Sequence, residues 1–264
     1  LRSEKEEMAR YFLEVMYDGT AFHGSQLQGS LPTVQLAVNK GLSILFRTEI
    51  ETFGASRTDE GVHALSSFYH FDTELEPYPN LLYKLNAILP DALTAKALYK
   101  ANDPALNARF DATSRQYRYR IYNKKNPFLH KRALYYPYKV NHELLHEMAA
   151  ILKEYHDFES FSKRNTQTHT FKCNIMQSRW EEHGEELHYV VEANRFLRGM
   201  VRGLVATQLH LSGAHKDGND LRGILEAKDC TKAYFNVTGN GLYLEKINYP
   251  KGALTEITDC LPTK

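Results

Sequence analysis

The stretch Gly54-Ala55-Ser56-Arg57-Thr58-Asp59-Glu60-Gly61-Val62-His63-Ala64 sets an arginine and an aspartate two residues apart among small side chains, an uncommon choice for a turn. A carboxylate that acts on a substrate must be ionised; with a reference pKa of ~3.9, Asp59 meets that condition at neutral pH if a cation offsets the cost of burial. A second concentration of chemistry lies between Asn107 and Arg132. There Arg109, Arg115, Arg118, Arg120, Lys124, Lys125, Lys131 and Arg132 face the single acid Asp111, interleaved with Phe110, Tyr117, Tyr119, Tyr122 and Phe128. Cations neutralise a phosphate backbone and aromatic rings stack on unpaired bases, so this mixture has the pattern of a polyanion footprint. The plain alternative is a half-buried strand with a solvated basic face. Arg195, Arg198 and Arg202 follow at i, i+3 and i+7, one stripe of a helix. Cations at a helix start oppose the macrodipole, which points to a carboxylate or phosphate partner, against the reading of a merely solvated surface.

Metal chemistry has weaker candidates. His142-Glu143-Leu144-Leu145-His146 matches H-E-x-x-H, the spacing of a zinc hydrolase. It falls directly after Asn141, a good N-cap, and thus in a fraying first turn, and no third-ligand signature follows. His63, His70 and Asp72 make no recognised ligand spacing and read as structural or hydrogen-bonding groups. Cys173, Cys230 and Cys260 are far apart with no C-x-x-C pair, so three free thiols in a reducing compartment are expected.

These residues need elements to hold them. Hydrophobic residues make up 42% and charged residues 25% of 264 residues, enough for a proper core, and the net charge of +1 leaves any basic face to uneven distribution. The alternation of Tyr11 to Asp18 predicts a strand, and Thr33 caps an amphipathic helix over 34–46. Strands at 50–56 and 64–71 flank the Asp59 stretch, which makes it a loop between them. A helix at 80–87 and a strand at 93–99 precede Asn102-Asp103-Pro104, where the domain boundary is placed. Beyond it are expected strands at 116–122, 171–181, 186–193 and 242–248, with helices at 141–155, 196–211 and 221–227. On the first of these strands Tyr117 and Tyr119 share one face, and Arg118 and Arg120 the other. The class is α+β with mainly antiparallel sheets. The organisation reads as a tail or tag remnant at 1–7 with Met8 the start, domains at 8–104 and 105–250, and a tail at 251–264. No signal peptide or membrane-length apolar run is present, which predicts a soluble cytoplasmic protein.

The Asp59 stretch resembles the catalytic motif of the TruA family of tRNA pseudouridine synthases, usually G-A-G-R-T-D-A-G-V-H-A. Five further motifs follow in the family's order: Tyr17-Asp18-Gly19-Thr20 with Phe22, Gly24 and Gln26; Ala108-Arg109-Phe110 with Arg115, Tyr117, Arg118 and Tyr119; Asp157-Phe158-x-Ser160-Phe161; Asn194-x-Phe196-Leu197-x-x-Met200-Val201-Arg202; and Gly241-Leu242-Tyr243-Leu244. The resemblance covers nearly the whole chain. It implies the pseudouridine synthase fold, two α/β domains with antiparallel sheets meeting at a central catalytic cleft, a homodimer that binds tRNA across both subunits, and no metal and no cofactor. The implied reaction breaks the N1–C1′ bond of a flipped-out uridine, turns the uracil and joins C5 to C1′. The family's usual targets are uridines 38, 39 and 40 of the anticodon stem-loop.

By residue, the resemblance implies Asp59 as the catalytic carboxylate, either as nucleophile or as the base that takes the C2′ proton. Arg202 pairs with it, and Tyr117 stacks on the uracil and is a candidate base for the C5 proton. Arg57 displaces and replaces the flipped nucleotide. Arg109, Arg115, Arg118, Arg195 and Arg198 are candidates for RNA contacts. This chain departs from the family at Ser56 for glycine, Glu60 for alanine, and Ser25 and Leu27 for tryptophan and a basic residue. Glu60 places a second carboxylate beside Asp59 and disfavours nearby phosphate. The departures leave two alternatives beside the usual enzyme: a synthase for another RNA site, and an RNA-binding paralogue with weak turnover.

Overall fold

In the computed structural model, which describes residues 8–164, 168–214 and 216–258, contacts divide the chain into two units. One is formed by the chain up to Thr113 together with its return from Leu244; the other is Ser114–Tyr243. Each is α+β with mainly antiparallel strands.

The first unit begins with β1 (Ala9–Tyr17), α1 (Val34–Phe46), β2 (Phe53–Gly54), β3 (His63–Thr73), α2 (Leu81–Ile88) and β4 (Leu93–Ala101). β1 lies between β3 and β4, antiparallel to both, with Tyr11 opposite Phe71 and Lys100. Two-residue alternation sends Tyr11, Leu13, Val15 and Tyr17 to one face, and all four are buried. On that face Phe71 meets both Tyr11 and Phe46, the last residue of α1. α1 starts where Thr33 Oγ1 accepts the Leu36 N–H at 3.3 Å, as its sequence predicts. On the opposite face Tyr249 packs edge-on against Phe12 and Phe68.

The second unit holds β5 (Ser114–Tyr122), β6 (Leu134–Tyr135), α3 (His142–Ile151), β7 (Ile175–His183), β8 (Glu186–Ala193), α4 (Met200–Gly213) and α5 (Gly218–Ala227). β8 pairs antiparallel with β5 and β7, and β6 runs parallel to β5. α4 is buried on nearly every side, and its one buried amide, Gln208, accepts the Trp180 Nε1–H at 2.9 Å and donates to the Leu204 carbonyl. Gly203 lets the Phe235 and Phe161 rings approach the helix; a Cβ there would lie 2.7 Å from Phe235. Ser160, in the motif after α3, donates to the Ile224 carbonyl and accepts the Asp229 N–H, tying off the end of α5. β9 (Leu242–Asn248) leads the chain back, and β10 (Leu254–Glu256) ends the described elements.

Three sequence expectations are corrected. The boundary drawn at Asn102-Asp103-Pro104 is a turn inside the first unit. Asn102 N–H donates to Ala253, Arg10 Nη1 to the Leu106 carbonyl, Ala108 N–H to His70 Nδ1 and Thr113 N–H to Asn248, so the chain stays with that unit to Thr113. The supposed tail from 251 adds an edge strand: Leu254, Thr255 and Glu256 pair with Ala101, Lys100 and Tyr99 of β4. The expected tail at 1–7 and the Cys260 thiol lie outside the described residues; Cys173 and Cys230 are free thiols. Finally, α4 begins at Met200, not near 196. Gly199, at φ 76°, occupies the left-handed region as N-cap, so Arg195 and Arg198 precede the helix in extended chain and turn, and only Arg202 lies on it. The one-stripe arrangement of the three arginines does not form.

Candidate active site

The loop between β2 and β3 carries Asp59, exposed, as the sequence placed it. Its neighbour Thr58 is anchored from three directions. Thr58 N–H donates to Ser25 Oγ at 2.8 Å, Thr58 O accepts the Ser25 N–H at 3.1 Å, and Thr58 Oγ1 shares a 2.8 Å hydrogen bond with Tyr17 Oη. Ser25 is 2% exposed and Thr58 8%. The Ser25 carbonyl also accepts from Tyr69 Oη at 3.4 Å. The first-strand motif is therefore the wall that clamps the Asp59 loop.

Two glycines make the approach possible. A Cβ on Gly19 would sit 2.0 Å from the Val62 carbonyl oxygen, and one on Gly24, whose φ is 85°, 2.9 Å from the Thr58 carbonyl oxygen. His63, 2% exposed at the start of β3, has the Gly19 N–H and an Asp18 carboxylate oxygen each 3.2 Å from Nδ1. Sequence reading took His63 and His70 as hydrogen-bonding groups, and the geometry agrees. His70 Nδ1 accepts the Ala108 N–H at 3.2 Å, and burial, reinforced by the Arg10 charge, pushes its pKa down to about 4.

The departures at Ser25 and Glu60 acquire physical meaning. Ser25 supplies a hydroxyl to the clamp. Glu60 points outward, 72% exposed, with His23 Nδ1 3.6 Å from its carboxylate, a surface pair worth little in stability. Arg57 and Arg109 are both exposed. Asn107 Oδ1 accepts the Arg109 and Phe110 N–H groups, which fixes the turn that carries them, and the Arg109 guanidinium lies 5.4 Å from the Phe110 ring centre.

In the second unit Tyr117 is buried on β5, its ring edge-on to Phe196 at 5.1 Å. Arg202, in the first turn of α4, is part-buried and donates from Nε and Nη2 to the Val237 carbonyl at 2.9 and 2.7 Å. Arg115 is 8% exposed and donates to the Asn194 carbonyl at 2.9 Å, so it ties β5 to the chain that follows β8 and does not stand in solvent. Arg195 is part-exposed and Arg198 exposed.

The basic face of β5 is largely answered from within. Arg118 Nη1 lies 2.9 Å from Glu181, and Arg120 makes a two-pronged contact with Glu186 at 2.8 and 2.9 Å. His183, with Arg179 and Arg118, holds the Glu181 carboxyl down at about 2. Burial opposes ionisation of Glu186, yet Arg120 and His188 keep it below the usual carboxylate range. Arg118, a candidate for RNA contact, is thus also a member of an ion pair with Glu181. The H-E-x-x-H match lies at the start of α3 as expected, where Asn141 Oδ1 accepts the Leu144 N–H and His142 Nδ1 meets Glu182 at 2.8 Å. Among the described residues no three His, Cys, Asp or Glu side chains gather as a metal site.

Sequence reasoning missed the clamp. Tyr17 and Thr58 were noted only as motif members, and nothing in their spacing signals that 41 residues later they share a hydrogen bond. The family model described as tRNA pseudouridine synthase matches residues 149–250. A tRNA pseudouridine synthase A of Parabacteroides distasonis is 40% identical over 92% of this chain and 97% of its own length. Its counterpart in Bacteroides thetaiotaomicron is 38% identical over 95% and 94%, and that in Bacillus subtilis 35% over 89% and 97%. With identities above 30% across nearly the full length of these relatives, the chain belongs to the tRNA pseudouridine synthase family.

Proposed function

We propose that this chain converts uridine to pseudouridine in tRNA, at positions 38–40 of the anticodon stem-loop. The observation that carries the reading is the Asp59 loop: a carboxylate presented to solvent from a backbone held by buried hydroxyls and by two glycine contacts, with Arg57 beside it. Preorganisation of that kind suits a group that must meet a flipped-out base in one geometry. The reaction is an isomerisation: the N1–C1′ bond breaks, C5 bonds to C1′, a proton leaves C5, and N1 takes up a proton, so the formula is unchanged.

Asp59 acts on the sugar or its C2′ proton, Tyr117 supplies a stacking face and a hydroxyl for the C5 proton, and Arg202 supplies the cation that pairs with the carboxylate. The family resemblance of all three positions supports these roles. Arg57, Arg109, Arg195 and Arg198 are the exposed or part-exposed cations suited to phosphate. The working form is a homodimer with the RNA held across both subunits, in the cytoplasm, a reading supported by the family resemblance and tested by sedimentation with and without tRNA. No described helix is long and apolar enough to cross a membrane.

The decisive experiment maps pseudouridine by carbodiimide labelling in tRNA treated with purified protein, with Asp59→Ala as control. Label at 38–40 with the parent and none with Asp59→Ala is expected, while RNA affinity stays within a few-fold because phosphate contacts dominate binding. Turnover retained by Asp59→Ala refutes the catalytic assignment.

A further inference from the structure

Between α5 and β9 the second unit runs from Asp229 to Gly241 without strand or α-helix, and this segment returns along α4. Thr207 Oγ1 accepts the Tyr234 N–H at 3.0 Å, Gly203 leaves room for the Phe235 ring, and Arg202 donates from Nε and Nη2 to the Val237 carbonyl. His210 stacks on Tyr234 with ring centres 3.7 Å apart. Gly203, Thr207 and His210 stand at i, i+4 and i+7, one face of α4, so the segment follows that face toward the helix start. Two nitrogens of the guanidinium are spent on one backbone oxygen, and the place of that oxygen sets the direction of Arg202.

The oxygen is itself fixed from β5. Tyr119 Oη donates to the next carbonyl along the chain, that of Thr238, at 2.6 Å. Peptide units are planar, so only the two torsions of Thr238 separate the two bound oxygens. The Tyr119 ring is wholly buried and lies against Gly241, where a Cβ would come within 2.7 Å of it. Burial pushes the phenol's pKa up, with the Thr238 bond and the nearby Arg202 charge opposing, so the hydroxyl stays protonated and is the donor. The reaction has no other use for it, since Tyr117, two residues earlier on the same buried face, is the ring offered to the base. Resting on the function proposed above, we propose that Tyr119 is a positioning residue: its hydroxyl holds the backbone at Val237 and Thr238, and that backbone directs the Arg202 guanidinium.

The test is Tyr119→Phe, which keeps the ring and removes one oxygen, compared with the parent, Arg202→Lys and the double variant. The Arg202 Nε–H signal in NMR spectra, identified by its loss in Arg202→Lys, is expected to exchange with solvent roughly 3- to 10-fold faster in Tyr119→Phe than in the parent, the factor that one net hydrogen bond is worth. Single-turnover isomerisation of tRNA is expected to slow by a similar factor, with Kd for the RNA within about twofold. On the Arg202→Lys background, where the planar fork is gone, Tyr119→Phe is expected to cost little more. Unchanged exchange, a parental rate in Tyr119→Phe, or an equal loss in both backgrounds, as a hydroxyl serving folding alone would give, overturns the proposal. If the parent isomerises no uridine, the reading of function fails, and exchange at Arg202 still decides whether Tyr119 holds it.

Discussion

Replacing Ser25 by alanine removes one oxygen from the clamp. Ser25 Oγ accepts the Thr58 N–H at 2.8 Å, with Ser25 2% and Thr58 8% exposed, so no bulk water can take its place. A buried donor left without a partner costs about 1–3 kcal/mol. The Ser25 N–H to Thr58 carbonyl bond and the Tyr17 to Thr58 hydroxyl bond survive the change, so the loop remains tethered but its clamped geometry is no longer the clear minimum. If the cost falls on the clamped-to-open equilibrium of the loop, single-turnover isomerisation slows by roughly 5- to 150-fold, since each 1.36 kcal/mol is tenfold. RNA affinity is expected to stay within about threefold because the change touches no cation. Tyr17→Phe, which removes the other hydroxyl bond to Thr58, is expected to act in the same direction, and the double variant to lose less than the product of the two. The assay is single-turnover kinetics with enzyme in excess, alongside filter binding and thermal melts. A parental rate in Ser25→Ala refutes the clamp as a catalytic positioning device; a lowered melting temperature with that parental rate assigns the hydroxyl to folding alone.

Other outcomes follow from the same geometry. Gly19→Ala puts a methyl 2.0 Å from the Val62 carbonyl oxygen, forcing backbone to move, and is expected to destabilise by roughly 3 kcal/mol or more in denaturant titration. His70 is held neutral with a pKa of about 4 by burial and the Arg10 charge, with Asp72 opposing, while the unfolded chain binds the proton near 6.5. Its contribution is therefore complete above about pH 6.5 and lost as pH falls toward 4. That is about 1–2 kcal/mol after allowance for solvent screening, and it should shrink in His70→Asn, whose carbonyl oxygen replaces Nδ1, when unfolding is compared at pH 7 and 4.5. Tyr117→Phe keeps the stacking ring and removes the hydroxyl; a rate loss of about 100-fold or more is expected for a lost proton acceptor, and a parental single-turnover rate excludes that role.

Local signals carried far in this chain. Thr33 before an amphipathic run predicted α1, and the predicted start and end, 34 and 46, are those observed. Alternation placed Tyr117 and Tyr119 on the buried side of β5 and Arg118 and Arg120 on its part-exposed side. What failed depended on partners distant in sequence. The Asn102-Asp103-Pro104 break had every local mark of a linker, but Ala253 and Asn248 bind the chain on either side of Leu106 to the first unit. The arginine stripe at 195, 198 and 202 required a helix that Gly199 stops, a case in which one permissive residue outweighs the apolar pattern around it.

The order of short motifs is covalent information, so the family was legible in the sequence alone. Net charge on a surface is not such information. Eight cations between Asn107 and Arg132 look unopposed along the chain, yet Arg118 and Arg120 meet Glu181 and Glu186 more than sixty residues away, because neighbouring strands bring opposite charges within 3 Å. The clamp on Asp59 is likewise a product of tertiary structure. Tyr17 and Ser25 are separated from Thr58 by 41 and 33 residues, and only the pairing of β1 with β3 and the close approach at Gly19 and Gly24 bring their polar atoms to hydrogen-bonding distance. Residue types determined what the site can do; the fold decided which of them are held, which are neutralised, and which remain turned toward a ligand.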